Sequence, residues 1–401
     1  MKILILCNKS PWPKREGGPI AMHAMISGLI QAGHSVKVLA ANTIKYTVDP
    51  ETIPADFREK TQIEFVDIDL SVTIPGALLN IISRKSYHIT RFHTKAFAQK
   101  ITEILQKDTY DIIQLETLQM ATYLDILRKY SKASVVLRAH NIEHKIWQRI
   151  AENCTSPFRR FYLNHLYHSL RRFEIGILNK MDGIIAITPV DARNLDRLSH
   201  STNIISIPFG INLESLPDNP VQPAEGSLFH IGSMNWYPNE EGIKWLISEV
   251  WPSVTKKLPG VEFHLAGRYM PDWLSKLSVP HITVDGEVPD VWEYMQKFSI
   301  MVVPLFSGSG IRIKIVEAMA AGKAIITTAI GAEGINYENG QHLLIAKDAK
   351  SFTDAIVKLY NDKTLRDTLG KNARMLIAKE HDNNKLMLKL TAFYDELLKK
   401  K

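Results

Sequence analysis

The sequence predicts an α/β fold of two Rossmann-like, doubly wound domains in tandem. Three observations point there. Short apolar, β-branched runs such as ILILC at residues 3–7 and IMVV at 300–303 have the composition of parallel strands buried on both faces. They alternate with stretches whose apolar residues recur at helical spacing, as strand–helix–strand units do. A polar, proline-rich segment, PFGINLESLPDNPVQPAEG, separates two such series.

A chain of 401 residues has room for a core in each domain. Its 23% charged and 45% hydrophobic residues are those of an ordinary globular protein. Cys7 and Cys154 are too few for a disulfide framework, so a reducing, cytoplasmic setting is expected. The first strand is too short for a signal segment, and no run reaches the length of a membrane span. The net charge of +7 is unevenly placed: residues 1–205 hold 27 Lys and Arg against 19 Asp and Glu, and residues 206–401 hold 22 against 23. The first half is therefore suited to an anionic partner.

Taken in order, residues 3–7 form a strand, residues 20–31 a helix closed by Ala32-Gly33-His34, and residues 36–40 a second strand. This βαβ opening lacks GxGxxG. Its glycines, Gly17 and Gly18, come ten residues beyond Cys7, so a dehydrogenase-type dinucleotide site fits poorly. Residues 41–63 read as loop and 64–67 as a short strand. Residues 75–106 read as helical, with Arg84, Lys85, Arg91, Lys95 and Lys100 among Leu78, Leu79, Ile81, Ile82, Phe92 and Phe97. Such a surface can lie on anionic lipid, although a solvated helix pair is the plainer reading. Strands follow at 111–115 and 134–137. The second runs into RAHNIEH, and the carboxyl end of a parallel strand faces the ligand crevice, which makes His140 a candidate; a helix cap is the alternative. HNIEH is not a zinc motif, because HExxH needs a glutamate where Asn141 stands. Residues 145–180 read as one basic helix around RRFYLNHLYHSLRR, with no recognised nucleic-acid motif beside it. Strands at 183–187 and 203–207 complete the first series.

The second series opens with a strand at 227–231, followed by GSMNWYPNEEG and an amphipathic helix. Strands at 262–266 and 282–285 end in Gly267-Arg268 and Gly286-Glu287-Val288. The strand at 300–303 leads into Ser307-Gly308-Ser309-Gly310, a helix over 311–321 and a strand over 324–328. A glycine loop between strand and helix is an anion site, because free N–H groups and the helix dipole both favour negative charge. Arg312 and Lys314 are expected in the first turn, where the dipole disfavours cations, so the pair suggests a bound diphosphate. Glu317, one turn on, can accept hydrogen bonds from vicinal ribose hydroxyls. Each of the three, taken singly, also fits a solvated helix face.

The stretch GSGIRIKIVEAMAAGKAIITT, followed by GAEGI, resembles the donor-site signature of retaining glycosyltransferases of family 4, in the branch with GSGxRxKxxEAMA. The resemblance is strong from about 226 to 346 and weak before 200. The common pattern has two glutamates separated by seven residues; Glu317 matches the second, and Ser309 stands at the first. GGP at 17–19 resembles the family's diglycine, whose amides touch the donor diphosphate. IPFGIN resembles its PNGVD, with Phe209 and Asn212 as departures. Ser233 and Glu241 stand where the family often has an arginine and a lysine on the donor phosphates, so Arg312 and Lys314 are expected to have taken over that charge.

The resemblance implies a GT-B fold, with two Rossmann-like domains facing across a cleft: an acceptor-side domain over 1–207, a linker over 208–225 and a nucleotide-sugar domain over 226–380, with 381–401 packing back on the first. It implies transfer of a sugar from a nucleotide-diphosphate sugar to an acceptor hydroxyl, with configuration retained. His140 would lie near the reacting sugar, with Arg312 and Lys314 stabilising the leaving diphosphate. Gly17, Gly18, Gly232, Arg268, Val288, Ser309, Gly310 and Glu317 would bind the nucleotide-sugar. No cofactor is implied beyond the donor itself, and no paired-aspartate metal motif is present. A lipid-linked or polysaccharide acceptor, and a cytoplasmic enzyme resting on an anionic membrane surface, would suit the basic first half. A sugar-nucleotide epimerase of the same fold and a non-enzymatic nucleotide- or anion-binding module are the rival classes. A nucleic-acid partner is not expected, because the phosphate-site residues lie in the near-neutral half.

Overall fold

The computed structural model describes all residues except 15, 45–46, 72–85, 200–202, 217–222, 309 and 401. The chain divides into two compact units, Met1–Gly210 with Asn383–Lys401, and Ile211–Asp382.

In the first unit the described strands are β1 (Lys2–Cys7), β2 (Ser35–Thr43), β3 (Glu64–Ile68), β4 (Ile112–Glu116), β5 (Ser134–Ala139), β6 (Gly183–Ala186) and β7 (Asn203–Ser206). They form one parallel sheet in the order β3-β2-β1-β4-β5-β6-β7. Alternation along β1 shows why its residues are nearly all apolar. Ile3 and Ile5 pack with Met22, Ile26 and Leu386 on one face, while Leu4 and Leu6 pack with Phe97 and Ile101 on the other. The strand order reverses between β1 and β4, so the crevice of the sheet opens at their carboxyl ends. The register there aligns Cys7 with Glu116 and Glu116 with Arg138.

The helix Asn383–Lys399 belongs to this unit. Leu386, Met387, Leu390, Phe393, Tyr394 and Leu397 recur at helical spacing and are buried against β1, β2 and the helix Gly17–Gln31. The Tyr394 hydroxyl donates to Gln114 Oε1 on β4.

The second unit holds β8 (Leu228–Ile231), β9 (Phe263–Ala266), β10 (Ile282–Gly286), β11 (Ile300–Val303), β12 (Ala324–Thr327) and β13 (Leu344–Ile345). These strands are parallel, in the order β10-β9-β8-β11-β12-β13. Leu228, Phe263, Ile300 and Ile326 meet Val250, Trp251, Phe352 and Ile356 in its core. The order reverses between β8 and β11, which places the glycine loop after β11 at the switch point. No helix among the described residues is long and apolar enough to cross a membrane.

Several local expectations change. The first helix begins at Gly17, not at 20, so Gly17 and Gly18 form its first turn. Pro19 is tolerated there because the first N–H groups of a helix have no partner within it. The helix after the glycine loop is Ile313–Ala320; Arg312, with extended backbone at φ −90° and ψ 93°, is its N-cap, and only Lys314 lies in its first turn. Residues 41–63 are not all loop: β2 runs on to Thr43, and the helix Ala55–Thr61 is anchored by buried Phe57. The stretch expected to be helical over 75–106 contains the helices Tyr87–Thr90 and Lys95–Lys107; Arg84, Lys85, Leu78, Leu79, Ile81 and Ile82 lie outside the described residues. The single helix expected over 145–180 is two, Glu143–Glu152 and Pro157–Leu178, because Pro157 cannot continue a helix but can start one.

Candidate active site

In the second unit, Lys314 reaches from the first turn of its helix to the neighbouring strand β8. Its Nζ donates to Asn239 Oδ1 at 2.7 Å and lies 3.2 Å from His230 Nε2. His230 Nδ1 is 2.8 Å from the Val302 carbonyl oxygen. A carbonyl only accepts, so Nδ1 carries the proton and Nε2 is left to accept from Lys314. Neither partner is negative. Burial, and then the Arg312 charge, lower the Lys314 pKa to about 7. Burial, and then Lys314, hold His230 well below its usual range. A cation held by neutral groups at a helix N-terminus is arranged to meet an anion.

Gly232 makes that arrangement possible. A Cβ there would lie 2.9 Å from Lys314 Nζ and 2.8 Å from Asn239 Nδ2. The loop on the other side is equally tight. Gly308 sits at φ +110°, and a Cβ on it would meet Arg312 Nη2 at 2.9 Å and the Trp236 ring at 3.0 Å. Arg312 is buried, lies 5.2 Å from the centroid of the Trp236 ring and donates through Nη1 to the Gly310 carbonyl at 2.9 Å. Ser307 donates to Glu241 at 3.0 Å.

The other expected nucleotide-site residues spread outward from this point. Arg268 follows β9; its Nε is 3.0 Å from Glu287 Oε1, and its carbonyl accepts from the Met234 amide. Val288, half-buried, follows β10. Glu317 is half-buried in the second turn of the Lys314 helix. Ser309 lies outside the described residues. His230 and Asn239 escaped the sequence reading. Their signals were a histidine inside the apolar strand LFHI and an asparagine in the first turn of the helix Tyr237–Trp245.

In the first unit, His140 stands just past β5, and its Nε2 is 2.5 Å from Glu116 Oε2 at the end of β4. Arg138 Nη1 contacts both carboxylate oxygens, at 3.1 and 3.3 Å, and Gln114 Nε2 donates to Oε1 at 2.6 Å. Glu116 is wholly buried. Burial alone would raise its pKa, but the Arg138 charge and the His140 hydrogen bond outweigh it and hold it at about 2. An ionised carboxylate only accepts, so His140 donates from Nε2 and keeps Nδ1 as an acceptor. Burial leaves the imidazole with a lowered pKa despite Glu116. Glu116 was missed in the sequence, although a carboxylate ending the buried run IIQLE is unusual enough to flag it.

Arg138 Nη1 also donates to the Ala21 carbonyl at 3.2 Å, tying the Gly17–Gln31 helix to the sheet. Lys9 lies over the start of that helix: a Cβ on Gly18 would be 2.9 Å from Lys9 Cε. Beyond His140, Glu174 accepts the backbone N–H groups of Glu143 and His144, at 3.0 and 2.9 Å, and the His144 ring at 2.7 Å. It thereby satisfies the open end of the Glu143–Glu152 helix. Burial, and then Glu174, raise Glu143 to about 7. Among the described residues no group of three or more His, Cys, Asp and Glu side chains is placed to hold a metal ion.

The cradle of Gly232, Lys314 and the glycine loop lies within the part of the chain that known proteins share. Residues 225–362 match the family of glycosyl transferases group 1. The fold is GT-B. It matches HepE of Anabaena, solved with UDP and glucose, with a TM-score of 0.68 at 14% identity over 98% of this chain and 99% of that one. An uncharacterised 44.6 kDa protein in the cps region of Klebsiella pneumoniae is 20% identical over 395 residues, covering 96% of this chain and 97% of that protein. A phosphatidyl-myo-inositol mannosyltransferase of Mycobacterium leprae is 27% identical over 199 residues, 47% of this chain and 52% of that protein.

Proposed function

We propose that the protein is a retaining glycosyltransferase of family 4, acting in the synthesis of a cell-surface polysaccharide or glycolipid. The observation that carries this reading is Lys314, a cation with neutral hydrogen-bond partners, held beside a glycine loop at the switch point of the second unit. The group 1 family match and the UDP and glucose bound by HepE support a nucleotide-diphosphate sugar as the donor. The name of the phosphatidyl-myo-inositol mannosyltransferase supports a lipid-linked acceptor, with a polysaccharide as the alternative. The epimerase and binding-module readings are not favoured by these likenesses.

In this proposal the second unit holds the nucleotide and the first serves the acceptor. Lys314, Arg312 and the backbone around Gly310 take the diphosphate. Glu317 takes the ribose, with Gly232, Arg268 and Val288 around the nucleotide. The bond from the sugar's anomeric carbon to the diphosphate breaks, and the acceptor oxygen bonds to that carbon on the same face. The acceptor proton passes to the departing phosphate oxygen. Fixed cations contribute most where charge develops, which is on that oxygen. His140 touches the transferring sugar, and Gly17 and Gly18 at their helix N-terminus contact the diphosphate. We propose that no divalent ion is needed, because Lys314 and Arg312 supply the positive charge; activity abolished by EDTA and restored by manganese would refute this. The enzyme would work at the cytoplasmic face of the membrane.

The deciding experiment is a thermal-shift panel with UDP, GDP, TDP, ADP and NAD. A ligand at about 100 times its Kd stabilises by roughly 2.7 kcal/mol. A shift with one diphosphate and none with NAD supports the reading; no shift with any of them overturns it. The responding base then selects the sugar donors for a transfer assay, in which the anomeric configuration of the product tests retention.

A further inference from the structure

The facing ends of the helices Glu143–Glu152 and Pro157–Leu178, on either side of a short turn, carry apolar side chains that the fold leaves in solvent. Phe158 is 90% exposed, Phe161 72% and Ile150 44%. Phe158 and Phe161 are three residues apart, so they share one helix face, which continues through His165, His168 and Arg172. Arginines flank them in the chain: Arg149 and Arg159 are exposed, as is Glu152, and Arg160 is braced by a 2.9 Å hydrogen bond from Nε to the Cys154 carbonyl. Further along, His168, Arg171, Arg172, Ile175 and Gly176 line a shallow concavity of about 570 Å³. The longer helix has one acidic residue, Glu174, and it is buried against His144, so its solvent face offers no negative charge.

We infer that this helical turn is a membrane-docking surface that inserts Phe158, Phe161 and Ile150 among anionic lipids, with Arg149, Arg159, Arg160, Arg171 and Arg172 against their headgroups. This rests on the proposed lipid-side acceptor and names the part of the first unit that reaches it. Exposed aromatic and aliphatic side chains gain by entering the headgroup boundary, and arginine stems can lie along apolar surface with the charge in water. Each basic side chain near an anionic surface adds about 1 kcal/mol, or roughly fivefold in partitioning. Ile150 favours lipid over nucleic acid, because an aliphatic side chain offers no ring to stack on a base. The flanking arginines disfavour a second copy of the same surface through like-charge repulsion.

The test is co-sedimentation of the full chain with vesicles of equimolar phosphatidylglycerol and phosphatidylcholine, and with phosphatidylcholine alone. The wild type is compared with F158S/F161S and R159E/R160E. The expected result is binding to the anionic vesicles only, weakened roughly 10-fold or more in each double variant, with unchanged melting temperature and nucleotide-induced shift. Wild-type partitioning of the variants, or no partitioning of the wild type, would overturn the inference. So would salt-sensitive RNA binding without vesicle binding, or a dimer that F158S/F161S converts to monomer while vesicle binding persists. None of these readouts needs transferase activity, so failure of the docking surface and failure of the proposed reaction are separable.

Discussion

Lys314 Nζ lies 3.2 Å from His230 Nε2, and the ring is held in that orientation by its Nδ1–H bond to the Val302 carbonyl. The histidine thus serves as a neutral acceptor that positions a lysine without neutralising it. A carboxylate in its place would satisfy Lys314 internally and leave less charge for an incoming anion.

Two pH trends of opposite sign follow for Lys314. Its pKa of about 7 lies below its usual 10.5, so anion affinity is expected to fall as pH rises from 6 to 8.5. Between pH 7 and 10.5 the unfolded chain binds the extra proton, so the ligand-free protein gains stability at this site as pH rises. Lys314→Met should abolish both trends and weaken diphosphate binding about 10- to 150-fold, the loss of a charge-assisted hydrogen bond. Calorimetric titration across pH checks this.

Gly232→Ala places a Cβ 2.9 Å from Lys314 Nζ. The end of the lysine can move away, but the buried Asn239 amide, 2.8 Å from that Cβ and donating to the Ser233 carbonyl, must shift as well, so the fold is expected to lose about 1–3 kcal/mol. Diphosphate binding should nevertheless fall as far as in Lys314→Met. Urea denaturation alongside nucleotide titration separates the two effects.

Glu116→Gln removes the partner of a buried arginine. The expected cost is about 3–5 kcal/mol, because Arg138 stays buried without a counter-charge. With a folded pKa of about 2 against an ordinary 4.5, Glu116 stabilises fully above pH 4.5, and that contribution fades as pH falls toward 2. Acid denaturation of the variant should lose that part of its slope, and the His140 ring resonances should change tautomer.

Glu143 has the opposite sign. Its folded pKa of about 7 exceeds 4.5, so the native state holds a proton that the unfolded chain releases. Stability at this site should therefore fall as pH rises from 4.5 to 7. Glu143→Gln should flatten that part of the stability profile, read by thermal melting at several pH values.

Deleting residues 383–401 strips six buried hydrophobic side chains from the first unit. At about 1.5–3 kcal/mol each, the loss is on the order of 10 kcal/mol, comparable to the stability of a whole domain. The truncated chain should show no cooperative melt for that unit. Tyr394→Phe is the milder probe, costing about 1–3 kcal/mol by stranding Gln114.

Much of this architecture was readable before any coordinates. Runs such as ILILC and IMVV announce buried parallel strands because both faces of such a strand are dry. The Gly308–Gly310 region announces a close approach because positive φ and missing Cβ atoms have few other uses in a strand-to-helix turn. Boundaries were less legible. Gly17, Gly18 and Arg312 each lie one side or the other of a helix start, where local propensity differs by tenths of a kcal/mol and the surrounding packing decides.

By itself, the sequence determined the α/β class, two series of buried strands and a glycine loop ahead of a helix bearing Lys314. These are encoded in periodicity and backbone freedom over a few residues. Only the tertiary structure decided that Lys314 meets His230 and Asn239, that Glu116 holds His140 and Arg138, and that the last helix completes the first unit. Those partners come from separate strands and helices far apart in the chain, and it is the strand order that makes them neighbours, which no local pattern encodes.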